Sequence, residues 1–143
     1  MPQVEAKAHD GEVVKLHEVA EKGWLLVYFY PKAATPGCTK QACSLRDADE
    51  QLKELGVRVF GVSRDTMKQQ KAFAEAQKLS FKLIADVDGE VVDAFGVPRM
   101  AGLGFPSRQA YLFKDGKLVW RDLKASTAKQ AQDVLEAIRE SGP

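Results

Sequence analysis

Seven residues, WLLVYFY at positions 24–30, constrain this chain more than any other stretch. None is charged, and apolar and polar residues do not alternate along the run. An extended segment of this kind must be covered on both faces, which calls for a strand inside a sheet with a packed layer on each side. Pro31 ends the run, and from Thr35 the pattern turns helical in TPGCTKQACSLRDADEQLKELG. Thr35 suits the N-cap, Pro36 the first helical position and Gly56 the stop, which predicts one helix from 35 to 56. Leu45, Leu52 and Leu55, with Ala42 and Ala48 nearby, supply its apolar face.

The remaining pattern alternates. GEVVKLHEVAEKG (11–23) reads as a short strand and then a turn or brief helix closed by Gly23. VRVFGVS (57–63) is a second buried strand, DTMKQQKAFAEAQKLS (65–80) a helix with Phe73 and Leu79 inward, and FKLIAD (81–86) a short extended piece. GEVVDAFGV (89–97) gives one or two helical turns, and PRMAGLGFPS (98–107) is a loop. RQAYLFK and KLVWRDL flank Asp115-Gly116, a strong hairpin signal. STAKQAQDVLEAIRE (126–140) closes the chain as a capped amphipathic helix. No repeat, low-complexity tract or linker interrupts this order, so residues 1–143 are expected to form a single domain. The β-α-β-α order predicts an α/β fold with parallel strands and helices on the faces, and the hairpin adds antiparallel strands. In such folds chemistry gathers at the carboxyl ends of strands, here in the loop after WLLVYFY.

Charge excludes some partners. Lys plus Arg number 21 against 20 Asp plus Glu, a net charge of +1. That balance gives no electrostatic reason to expect nucleic acid or an anionic membrane. No apolar run approaches the roughly 20 residues of a membrane span. MPQVEAKAHDGEVV lacks the basic-then-apolar layout of a secretory signal, so a cytoplasmic protein is expected, where thiols stay reduced.

The chain has 2 cysteines, Cys38 and Cys43. Cys38 falls in the first turn of the 35–56 helix, where unpaired N–H groups and the helix dipole favour an anion. A thiolate there is a nucleophile, whereas a buried thiol is equally a small apolar residue. The hydroxyl of Thr35 is placed to bond either a helix N–H or the sulfur, and Pro31 and Pro36 stiffen the loop. Along an ideal helix, Cys43 lies about 7.5 Å further on and about 140° round from Cys38. Bridged cysteines need Cα atoms within about 7 Å, so an intact helix forbids a disulfide and a static bridge is disfavoured. The spacing fits a reaction cycle in which the helix opens. A zinc clip is improbable, because His9 and His17 lie upstream in a segment that reads as solvated. No histidine partner for Cys38 is evident. A forked cation is the natural alternative, and Arg108, at the start of a strand near the first buried one, fits better than Arg99, which reads as a surface residue. From the residues alone, inert packing in a binding domain, a disulfide exchanger, a redox-sensing module and a catalytic thiol all remain open.

FYPKAATPGCTKQAC resembles the active-site stretch of the peroxiredoxins, whose pattern is Pro, three residues, Thr, two residues, Cys: here Pro31, Thr35 and Cys38. Cys43, five positions on, resembles the bacterioferritin comigratory protein, or Q-type, subfamily. The likeness continues through residues 61–97 and the Arg108 strand. It implies a thioredoxin-like fold, a central mixed sheet flanked by helices, and a thiol peroxidase acting on hydrogen peroxide and organic hydroperoxides. It implies that Cys38 is oxidised to a sulfenic acid, that Thr35 orients peroxide and sulfur, that Pro31 excludes water and that Arg108 stabilises developing charge. Cys43 then forms a disulfide with Cys38 that thioredoxin or a similar dithiol reduces, with no cofactor and no metal. Ala33, Ala34 and Gln41 depart from relatives that carry polar or acidic residues there. AGLGFP (101–106) echoes a motif tied to hyperoxidation sensitivity but reads better as a turn-rich loop, and IRESGP carries no further cysteine, so a monomer is expected.

Overall fold

The computed structural model describes residues 3–99 and 104–140. Its centre is β3 (Trp24–Phe29), buried at all six positions. Parallel to it on one side runs β4 (Val57–Ser63), with Trp24 opposite Val57 and Phe29 opposite Val62. On the other side β6 (Gln109–Lys114) runs antiparallel, with Phe29 opposite Gln109. The outer strands β5 (Lys82–Ala85) and β7 (Lys117–Asp122) complete a mixed sheet of order β5-β4-β3-β6-β7. A separate pair, β1 (Glu5–Lys7) and β2 (Val13–Lys15), had only its second strand foreseen in the sequence. The β6–β7 turn is the expected one: Asp115 and Gly116 both take positive φ, +49° and +84°, as a tight hairpin requires.

Strand alternation divides the core into two layers. Leu26, Tyr28 and Tyr30 point to the side covered by α2 (Pro36–Asp47), α3 (Asp49–Glu54), α4 (Met67–Ala76) and α6 (Gln130–Glu140). Leu25, Val27 and Phe29 meet β1, β2, α1 (Leu16–Val19) and α5 (Glu90–Ala94). Each large apolar side chain withdrawn this way contributes about 1.5–3 kcal/mol of transfer free energy. The strand therefore has no wet face, as its composition demands.

Two expected helices come out shorter, at 67–76 and 130–140, the former capped by Thr66 in a reciprocal pair with Gln69. The single helix expected over 35–56 is two, parted at Ala48 (φ −96°, ψ 10°). The physical reason is packing: α2 lies on α6 while α3 lies on β4, so the chain must turn between them. Gly56, at φ +74°, ends α3 as read. Neither histidine is simply solvated: Nδ1 of His9 accepts from the Leu83 N–H at 3.1 Å, and Nδ1 of His17 is buried. Residues 100–103 of the expected 98–107 loop, and so the first half of the AGLGFP echo, lie outside the described residues, as do 141–143 of IRESGP.

Gly61 is the tightest point of the sheet. It sits opposite Tyr28, and a Cβ there would lie 2.7 Å from the Tyr28 ring and 2.8 Å from Leu83. The missing side chain leaves the space that the Tyr28 ring and Leu83 occupy. Gly61→Ala is expected to destabilise the fold by about 1–3 kcal/mol through overpacking, read as a lowered urea midpoint at unchanged m-value.

Candidate active site

The topology brings three chain segments to one end of the sheet. The carboxyl end of β3 delivers residues 30–38, the carboxyl end of parallel β4 delivers Ser63 and Asp65, and the start of antiparallel β6 delivers Arg108. At this end a polar network fixes the loop. Tyr30 OH donates to Gln70 at 2.5 Å, and Gln70 Nε2 donates to Ser63 Oγ and to the Ile84 carbonyl, each at 2.8 Å. Ser63 Oγ donates to Asp65 at 2.5 Å, and Asp65 accepts the Ala33 N–H at 2.7 Å. That last bond anchors the loop next to Ala34, whose φ of +65° costs an L-residue about 1–2 kcal/mol.

Cys38 is the third residue of α2 and is 1% exposed. Arg108 Nη2 lies 3.5 Å from its sulfur. The other arm, Nη1, donates to Gln41 Oε1 at 2.7 Å, and Gln41 Nε2 donates in turn to Gln130 of α6 at 2.7 Å. Both glutamines are fully buried, so the guanidinium is aimed by a chain of neutral amides. Gly37 leaves room for it, since a Cβ there would sit 3.0 Å from Nη2. The sulfur thus faces a fixed cation and the amino end of a helix, and both favour negative charge.

Thr35 caps α2 by backbone geometry without a side-chain cap bond. Its hydroxyl was expected to bond a helix N–H or the sulfur, and instead donates to the Lys32 carbonyl at 2.9 Å. The loop turns back on itself at Ala34, at positive φ, which brings that carbonyl within reach of the hydroxyl. With its hydrogen so committed, the Thr35 oxygen presents lone pairs. Pro31 is half-buried and, with Pro98, Ser107, Arg108 and Gln109, lines a cleft of about 550 Å³ beside the guanidinium. Beneath the site, burial holds the Tyr28 and Tyr30 phenols well above their ordinary value, and charge on Cys38 pushes both the same way, so both rings stay neutral.

Cys43 points elsewhere. It is half-buried, and its thiol donates to Gln77 Oε1 at 3.4 Å. Both cysteines are free thiols. Arg99 pairs with Asp93 at 3.1 Å and does not join the site. Sequence reading missed Asp65, Gln70, Gln77 and Gln130. The signal for Asp65 was its place just after a buried strand, the same argument that drew attention to Thr35. A buried sulfur next to a forked cation, with a lone-pair oxygen one turn back, can hold a thiolate and stabilise negative charge leaving an attacked bond.

Known proteins place this arrangement. Residues 1–121 match the AhpC/TSA family. Peroxiredoxin Bcp of Escherichia coli is 47% identical over 96 residues, 67% of this chain and 61% of that one. The match thus spans less than two thirds of that relative's length. A solved Xanthomonas campestris bacterioferritin comigratory protein, studied for alkyl peroxide reduction, superposes with a TM-score of 0.89 at 27% identity, covering 98% of this chain and 92% of that one. Peroxidoxin BcpB of Mycobacterium tuberculosis does so with a TM-score of 0.87 at 29% identity, covering 96% and 92%. The thioredoxin-like arrangement of strands and helices is common to them, and this chain belongs to the AhpC/TSA family, with the Bcp and Q-type peroxiredoxins as its relatives.

Proposed function

We propose that this chain is a thiol peroxidase that reduces hydrogen peroxide and organic hydroperoxides by way of Cys38. The observation that carries the reading is the Arg108 guanidinium set 3.5 Å from a buried cysteine sulfur in the first turn of α2. A disulfide exchanger has no use for a fixed cation at that position or for the Thr35 oxygen beside it.

The substrate enters by the cleft at Pro31 and Arg108, where Pro31 keeps water from the sulfur. Thr35, its own hydrogen held by Lys32, accepts the hydroperoxide O–H and turns the terminal oxygen towards Cys38. The thiolate attacks that oxygen. An S–O bond forms as the O–O bond breaks, sulfur gives up two electrons, and the alkoxide leaves and takes a proton to become the alcohol, or water from hydrogen peroxide. Arg108 and the Cys38 backbone N–H carry the negative charge as it passes from sulfur to the departing oxygen. The Cys38 sulfenic acid then condenses with the Cys43 thiol, releasing water and forming a disulfide. Because α2 is intact from 36 to 47, its first turn must unwind for the two sulfurs to meet. Thioredoxin or a similar dithiol restores both thiols. We place this cycle in a reducing compartment, the cytoplasm, and take residues 1–143 as a single domain acting as a monomer. The near balance of charge offers neither nucleic acid nor membrane a hold.

Cys38→Ser is expected to abolish peroxide consumption, and Cys43→Ser to keep the first oxidation while losing turnover with thioredoxin. Peroxide loss followed spectroscopically, with mass spectra of the trapped protein, checks both. Full activity in Cys38→Ser would sink the reading. Arg108→Ala is expected to lower kcat/KM for hydrogen peroxide by about 10²- to 10³-fold, with the second, disulfide-forming step slowed far less. Stopped-flow tryptophan fluorescence separates the two steps.

A further inference from the structure

Helix α2 is gripped from two sides. On the α6 side, Gln41 donates to Gln130 at 2.7 Å and the Ala131 N–H donates to Ser44 Oγ at 3.0 Å. On the α4 side, everything converges on one residue. Gln77 accepts the Cys43 thiol on its side-chain oxygen at 3.4 Å and accepts Arg46 Nη1 on its backbone carbonyl at 2.8 Å. Cys43 and Arg46 are three apart and so share one face of α2. Gln77 itself is not free to follow them. It is the C-cap of α4, its N–H bonds the Phe73 carbonyl at 3.1 Å, and Phe73 is set in the core.

These contacts differ in one respect. The bonds from α6 and the Arg46 bond survive if only the first turn of α2 unwinds. The Cys43–Gln77 bond cannot, because the sulfur that must reach Cys38 is itself the donor. The amide oxygen also holds the hydrogen that Cys43 loses when it attacks. We infer that Gln77 is a latch on Cys43: a positioning residue that delays disulfide formation and so sets how long the Cys38 sulfenic acid remains exposed to a second peroxide. The inference rests on the roles of Cys38 and Cys43 given above. Two reactions then compete for the same sulfenic acid. Condensation joins Cys38–SOH and Cys43–SH into a disulfide plus water. Overoxidation consumes a second hydroperoxide, which adds an oxygen to give the sulfinic acid and leaves as its alcohol. Gln77 tilts the balance towards the second.

The test uses Gln77→Met, which keeps the side-chain length without the amide oxygen, and Gln77→Ala, which removes the side chain while leaving the carbonyl that Arg46 uses. Gln77→Glu retains an acceptor oxygen. Stopped-flow fluorescence on mixing with hydrogen peroxide reads both steps, and mass spectrometry after excess peroxide reads the sulfinic fraction. Met and Ala are expected to leave the first step unchanged, to speed disulfide formation by about two- to fivefold, the kinetic equivalent of one weak hydrogen bond, and to lower the sulfinic fraction. Glu is expected to be as slow as the wild type or slower. Disulfide formation in Met and Ala at or below the wild-type rate, with an unchanged sulfinic fraction, overturns the latch. A wild-type protein that forms no Cys38–Cys43 disulfide overturns the underlying reading and the latch with it.

Discussion

The antiparallel pairing of β6 with β3 is the constraint on which the rest of the site depends. Register sets Gln109 opposite Phe29, so the residue before β6 arrives beside the residues after β3. Had β6 run parallel, Arg108 would lie at the far end of the sheet. Parallel β4 makes the complementary contribution, carrying Ser63 and Asp65 to the same end as the loop they anchor. Three segments far apart in sequence meet because two neighbouring strands run in opposite senses. Only a strand without a wet face, like β3, can accept partners on both edges and layers on both sides.

That arrangement asks two opposed things of α2. Its first turn has to hold Cys38 under Arg108, which Gly37 and Gln41 allow and direct. The same turn has to come apart if Cys38 and Cys43 are to meet. Rigidity comes from hydrogen bonds that α2 makes to other elements, through Gln130 and Ala131 of α6 and Gln77 of α4, and not from a long continuous helix. The break at Ala48 is consistent with this division. Helix α3 packs on β4 while α2 packs on α6, so the two helices are held by different elements. Each tie is one or two hydrogen bonds, strong enough together to define one structure and individually weak enough to yield.

How much of this was legible in the sequence follows from the range of each signal. Strand β3, the start of α2 and the 115–116 hairpin are written in local pattern, and there the reading and the structure agree. Arg108 was found because topology, once inferred from β-α alternation, implies which strand ends adjoin. The break at Ala48 was not visible because it answers to α6 and β4, and no Gly or Pro marks it. The Thr35 hydroxyl was misread for a similar reason, its partner being chosen by the turn at Ala34. Gln41, Gln70, Gln77 and Gln130 are the deeper gap. A glutamine on a helix looks the same in sequence whether it faces solvent or, like Gln41 and Gln130, is wholly buried.

Those glutamines have a consequence of their own. The contacts that aim Arg108 and hold Cys43 are made by carboxamides, which take and give hydrogen bonds without exchanging protons. A carboxylate in the place of Gln41 would share the guanidinium's charge and tie the geometry of the site to its own titration. With amides there, the contacts that aim Arg108 and hold Cys43 carry no titrating group of their own, and the carboxylate of the frame, Asp65, is kept to the loop at Ala33.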